Sequence, residues 1–153
     1  MTKMTRRIDE IIIHCTANRA DSQITVSDIR KDHLRRGFSD IGYHYVVYAS
    51  GKVEAGRPEE KRGAHCKKGN HNRHSIGIAY IGGLDANGKP TDTRTEQQRI
   101  MIGNLCSILL KKYPTIKKIV GHRDYDSSKE CPCFDAQAEY SHLIELHHGR
   151  KEG

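Results

Sequence analysis

The sequence predicts a single α/β domain with a central mixed β-sheet flanked by helices. Three observations predict it. Short runs rich in β-branched and aromatic residues, led by Ile11-Ile12-Ile13, recur along the chain and read as strands. Segments with apolar residues at helical spacing separate them, most clearly from Thr95 to Tyr113. Their order, β-α-β-β-β-α-β-α, implies a mixed sheet covered by helices. At 153 residues the chain fits one domain spanning 1–153, with a core over about 6–147 and a short polar tail.

The elements follow in order. Ile8 to Cys15 is a buried strand ending in His14-Cys15-Thr16. Successive strand side chains face opposite ways, so His14 and Cys15 do not easily share a site. Thr25 or Ser27 caps a helix that runs to about Arg36 and stops at Gly37. Gly42 to Tyr48 is a strand, Ser50-Gly51 a turn, and Lys52 to Ala55 its return strand. Gly56 to Arg73 is a long loop, and loops of that length in a small domain are usually functional. His74 to Ile81 is a strand whose Gly77 and Ala79 alternate with Ile76, Ile78 and Tyr80. A polar loop covers Gly82 to Arg94. Thr95, with Gln98 at the capping-box position, starts a helix ended by Pro114. Ile116 to Val120 is the last strand. Asp135 caps a final amphipathic helix bearing Tyr140, Leu143 and Ile144, and a frayed tail runs from His147 to Gly153.

Composition narrows the partners. Net charge is +7 with a sequence pI near 9.2, which favours an anionic partner: nucleic acid, a membrane surface or an acidic wall polymer. The basic residues are scattered, without a Lys/Arg block, and Trp is absent, which disfavours nucleic acid. No apolar run reaches the roughly 20 residues of a membrane span. Met1 to Arg7 is basic, but no apolar signal core follows it, so cytoplasmic synthesis is expected. Five cysteines, unevenly spaced, read as thiols or metal ligands rather than a disulfide framework.

The chemistry concentrates between Val120 and Asp135, where a polar loop carries His122, Lys129, Cys131 and Cys133. His14 and His122 each follow an apolar strand, so neighbouring strands can bring their imidazoles together. Adding Cys131 gives three protein ligands, the number an open catalytic zinc site uses. Each residue taken singly is more often structural. Cys133 leaves two alternatives open: a fourth ligand that closes the site, or a redox pair with Cys131. Lys129 can donate to a developing oxyanion or be a solvated loop lysine, and the Tyr43 phenol can orient water or be an ordinary strand aromatic. His142, His147 and His148 read as solvated, His33 as structural or exposed, and His71 and His74 as loop residues that bind substrate or nothing. Cys15, Cys66 and Cys106 read as buried thiols.

Several stretches together carry a resemblance: Ile11 to Ala17, Asp40-Ile41-Gly42-Tyr43-His44-Tyr45, Gly51 to Arg57, Gly63-Ala64-His65, Asn72 with Ser75-Ile76-Gly77-Ile78, Gly121-His122-Arg123-Asp124, and Lys129 to Asp135. In that order the chain resembles the zinc-dependent N-acetylmuramoyl-L-alanine amidases of the amidase-2 group, the T7-type phage lysozyme family related to peptidoglycan recognition proteins. The resemblance covers nearly the whole chain. It implies one Zn2+ per chain, bound by His14, His122 and Cys131, with Tyr43 and Lys129 as the catalytic pair. It implies that zinc-bound water hydrolyses the amide between N-acetylmuramic acid and L-alanine of peptidoglycan. His65 matches a histidine near the family's substrate groove, which implies a substrate-binding role. Arg62, Lys67 and Arg73, in or beside the loop bordering that groove, are candidates to meet stem-peptide carboxylates, and Asn72 is a further substrate-binding candidate. A monomer that acts on muropeptides or intact wall after release or export is expected. Two rivals remain: a non-catalytic peptidoglycan-binding module, and a basic regulator binding nucleic acid or a polymerase. Two departures stand out. The loop from His71 to Ser75 is one residue longer than the family form, and Cys133 replaces a small residue.

Overall fold

The computed structural model describes residues 5–149. Strand β1 (Glu10–Cys15) is buried along its whole length because strands flank it on both sides. β5 (Ser75–Tyr80) pairs with one edge of it and β7 (Lys118–Gly121) with the other, both parallel. Central parallel strands are covered on both faces, which is why Ile11, Ile12 and Ile13 run without interruption. Each is fully buried and contributes about 1.5–3 kcal/mol relative to exposure. β3 (Tyr45–Val47) joins β5 in parallel, and β4 (Val53–Ala55) closes the edge as the antiparallel arm of the expected hairpin. The five-stranded order β4-β3-β5-β1-β7 is therefore mixed.

Alternation along β1 divides the core. Ile11, Ile13 and Cys15 pack with α2 (Glu96–Lys112) and with α3 (Ala136–Tyr140). Ile12 packs instead with Cys66 and Val120. Val46 meets Val26 and Ile29 of α1 (Val26–Arg35). His14 thus emerges on the face covered by α1 and the 56–74 segment. Both long helices begin at reciprocal capping boxes: Thr95 with Gln98, as the sequence predicts, and Thr25 with Asp28, which settles the first cap on Thr25 rather than Ser27.

Four local expectations change. The strand expected over Gly42–Tyr48 is only Tyr45–Val47, because Tyr43 and His44 already hydrogen-bond to Arg57 and Gly56 as the chain bends. The Gly82–Arg94 loop contains β6 (Gly83–Leu84), which pairs with β2 (Asn18–Arg19) in a separate two-stranded sheet. The long 56–73 loop includes a 3-10 segment, Lys68–His74. The final helix is broken: α3 is followed by α4 (His142–Ile144) and a π-turn, Glu145–Gly149. That re-registration packs Leu143 and Ile144 on the core and brings His148 Nε2 to 2.9 Å from the Leu110 carbonyl, so His148 is not simply solvated. The tail expected to fray beyond Gly149 lies outside the described residues.

One buried cation ties these pieces together. The Arg94 guanidinium donates to both carboxylate oxygens of Asp92 and of Glu139, and lies 3.3 Å from the centre of the Phe134 ring. Burial opposes its charge, but the two carboxylates outweigh that and keep it protonated. This anchors Phe134, at the end of the Cys131 loop, to α3.

Candidate metal centre and active site

The carboxyl ends of β1 and β7 form the floor of a cavity of about 910 Å3. His14, near the end of β1, is 1% exposed. His122 opens a one-turn 3-10 segment immediately after β7, and the two ring centres are 4.7 Å apart. Cys131 returns from the loop with its Sγ 3.8 Å from His14 Nδ1. The candidate ligand atoms of His14, His122 and Cys131 all lie within 4.8 Å of one another. The loop is held in place by the Arg123 N–H, which donates to the Cys131 carbonyl at 2.8 Å. Gly121 is needed where it stands: a Cβ there would meet Pro132 at 2.7 Å and push the cysteine loop away.

The hydrogen bonds around this trio suit a cation. The Cys15 main-chain N–H donates to Cys131 Sγ at 3.1 Å, which fixes the sulfur beside His14. Cys15 reaches the site through its backbone, and its side chain packs in the core cluster that Cys131 and Cys133 also adjoin. His14 Nε2 lies 2.8 Å from His65 Nδ1, and His65 Nε2 lies 3.3 Å from Ser75 Oγ. Protons on His14 Nε2 and His65 Nε2 satisfy that chain and leave His14 Nδ1 as a lone pair facing Cys131. Burial, and then neighbouring His65 and His122, hold the His14 imidazole well below its ordinary range. Burial, more than nearby Lys129, lowers His122 as well. Both rings are thus neutral near pH 7, the form that binds metal. Two neutral imidazoles and one thiol, gathered at an open cavity, fit a three-ligand zinc site.

Tyr43 and Lys129 line the same cavity. The Tyr43 ring is 5.4 Å from that of His14, and burial raises its phenol so that it stays a proton donor. Lys129 is exposed, and its main-chain N–H is tied to the Asp126 carbonyl at 3.0 Å. Cys133 lies elsewhere. It adopts φ 72°, in the left-handed region, so the segment is a turn and not the extended chain that would aim both thiols alike. Its Sγ contacts the Gly83 carbonyl at 3.5 Å, and burial, then Cys15, push the thiol up to about 12.

The remaining candidates separate. His65 is buried against Gly77, where a Cβ would come within 2.6 Å of the imidazole, so it backs His14. The Asn72 carboxamide oxygen accepts from the N–H groups of His65 and Cys66 at 2.9 and 2.8 Å. It thereby shapes the loop that carries His65. Lys67 and Asn72 line the cavity, whereas Arg62 and Arg73 are exposed outside its lining. His33, expected to be structural or exposed, is buried, accepts from the Gly42 N–H at 2.9 Å and reaches the lining. His44 is an internal brace. It accepts from the Gly77 N–H and donates to the Lys61 carbonyl, and burial drives it down to about 4. Arg36 and Lys68 also line the cavity, and nothing in their local sequence marks them. Arg6 donates to the carbonyls of Glu59, Asn72, Arg73 and Ser75, gathering both ends of the loop. Among the described residues no helix is long and apolar enough to cross a membrane.

Comparison with known proteins gives one consistent result. The family model for N-acetylmuramoyl-L-alanine amidase matches residues 4–134. The endolysin of Escherichia phage T7 is 37% identical over 133 residues, 87% of this chain and 85% of that protein. The solved N-acetylmuramoyl-L-alanine amidase LysC of Clostridium intestinale superposes with a TM-score of 0.75 at 27% identity, covering 94% of this chain and 87% of that one. Drosophila PGRP-LB superposes with a TM-score of 0.73 at 26% identity, covering 99% and 89%. Matched in sequence over most of its length and in fold throughout, the chain belongs to the N-acetylmuramoyl-L-alanine amidase family.

Proposed function

We propose that this chain hydrolyses the amide joining N-acetylmuramic acid to L-alanine in peptidoglycan, with one zinc ion held by His14, His122 and Cys131. The observation that carries the reading is the convergence of these three ligand atoms, Tyr43 and Lys129 on one cavity. When bound, zinc supplies a Lewis acid and a water whose pKa falls to about 7. The chain does the rest. The protonated Tyr43 phenol donates a hydrogen bond that orients the attacking water. The Lys129 ammonium donates to the carbonyl oxygen as negative charge builds on it. Lys67 meets a stem-peptide carboxylate at the cavity rim. Arg62, Asn72 and Arg73 serve the substrate less directly, by their positions around the loop. The non-catalytic alternative fits less well, because a silent binding module needs neither Cys131 nor Tyr43. Four basic residues, Arg36, Lys67, Lys68 and Lys129, do line the cavity, but a nucleic-acid reading leaves the three convergent ligand atoms at its floor without a role.

Zinc dependence is the test. Chelation abolishes release of stem peptides from purified wall, and added zinc restores it; full activity from demetallated protein refutes the reading. In this scheme His65 is a positioning residue. His65→Ala weakens zinc binding by about 10–100-fold, the usual effect of losing such a partner. His65→Asn, whose oxygen replaces Nδ1 as acceptor, recovers most of it. Equal affinity in all three proteins would remove that role.

A further inference from the structure

A second cluster of ligating side chains lies away from the cavity floor and shares no residue with the first: Glu10, His71 and His74, with Asp9 beside them. We propose that it is a separate binding site for a divalent transition-metal ion. The proposal does not depend on the catalytic zinc assignment.

Glu10 opens β1 and is 2% exposed. One of its oxygens, Oε2, is approached by His71 Nδ1 at 2.9 Å and by His74 Nδ1 at 3.1 Å. Asp9 Oδ1 lies 2.7 Å from His74 Nδ1. One atom from each of Glu10, His71 and His74 falls within 4.8 Å of the others. Ligand atoms around a metal with bonds near 2.1 Å are spaced at about 3 Å, so this trio needs little movement to close on an ion. Imidazole with carboxylate suits zinc, nickel or copper rather than magnesium or calcium.

The cluster is held from every side. Tyr125 donates to the other Glu10 oxygen at 2.5 Å and stacks on the His71 ring at 3.5 Å with an interplanar angle of 6°. Gly69 backs the opposite edge of that ring: a Cβ there would come within 2.9 Å of Nε2. The His71 ring is therefore fixed with Nδ1 toward Glu10. His71 and His74 are 22% and 37% exposed at their side chains, which leaves a path for the ion and for completing waters.

The location gives the site a purpose. His71 and His74 belong to the 3-10 segment whose Lys68 lines the cavity, along with Asn72, and Tyr125 follows the His122 turn. An ion here ties the cavity wall and the catalytic loop to the start of β1. Without metal, protons on the two Nδ1 atoms fill the same gaps as hydrogen bonds. Binding needs each Nδ1 lone pair free, with the ring proton carried on Nε2 instead.

Equilibrium dialysis of the full chain against zinc, with metal analysis, tests this. Wild type takes two equivalents, the double variant His71→Gln/His74→Gln takes one, Cys131→Ser takes one, and the combined variant takes none. The proposal is overturned if wild type saturates at one equivalent that Cys131→Ser abolishes, a result that leaves the catalytic assignment standing. It is overturned equally if the double variant still takes two. If Cys131→Ser keeps both equivalents while the double variant loses one, the second site holds and the catalytic ligand set fails. Cobalt titration of unmutated protein gives an independent reading. One equivalent brings thiolate-to-cobalt charge transfer, and the other adds visible absorbance without any. Charge transfer from both equivalents, or no second equivalent, contradicts a site made only of nitrogen and oxygen.

Discussion

Cys131→Ser loses the zinc of the cavity centre and wall-lytic activity together. The serine hydroxyl is a poor zinc ligand beside a thiolate, and the site keeps only two imidazoles. Affinity falls by more than the roughly 100-fold that loss of a supporting partner alone can cause. Activity falls with metal occupancy, by at least the same factor. Cys133→Ser is the control. Its thiol faces the Gly83 carbonyl and not the cavity, so zinc at this centre and turnover are retained. Metal analysis and lysis assays on the two purified variants check the pair. A Cys131→Ser protein with wild-type zinc affinity and activity would remove the ligand assignment.

Lys129→Ala behaves differently: it keeps zinc at His14, His122 and Cys131 and loses turnover. Lys129 lines the same cavity as His14, His122 and Cys131, where the proposed reaction seats the substrate carbonyl. Removal of one donor to a developing oxyanion costs about 100- to 1,000-fold in kcat, or about 3–4 kcal/mol. Because the contact strengthens only as charge develops, KM changes little. Steady-state kinetics on a soluble muropeptide, with zinc measured on the same sample, separate the outcomes. Loss of zinc would make Lys129 a structural residue, and an unchanged kcat would end its catalytic role.

Most of the architecture was legible because it is written locally. The continuous Ile11-Ile12-Ile13 run marks a strand buried on both faces, and Thr95 with Gln98 marks a helix start. His14 and His122 were readable as a pair because each sits where an apolar strand ends, and parallel pairing of β1 with β7 aligns those ends. What could not be read depends on contacts between distant residues or on one unusual backbone angle. His65 meets His14 across 51 positions, and no local pattern marks a supporting imidazole. Cys133 is aimed away by φ 72° at a residue other than glycine, which alternation along an extended chain does not anticipate. The final helix breaks because His148 and Leu143 find partners on α2 and in the core, a tertiary preference that overrides its periodicity. His71 and His74 looked like loop histidines, yet they converge on Glu10, more than 60 residues earlier in the chain.

The most direct measurement of the central claim is the product of digestion. Purified peptidoglycan treated with the zinc-loaded chain is separated and its new termini identified by mass spectrometry and end-group labelling. The account predicts free stem peptides beginning with L-alanine, and glycan strands of unchanged length. New reducing-end sugars, or cleavage within the stem peptide, would contradict it.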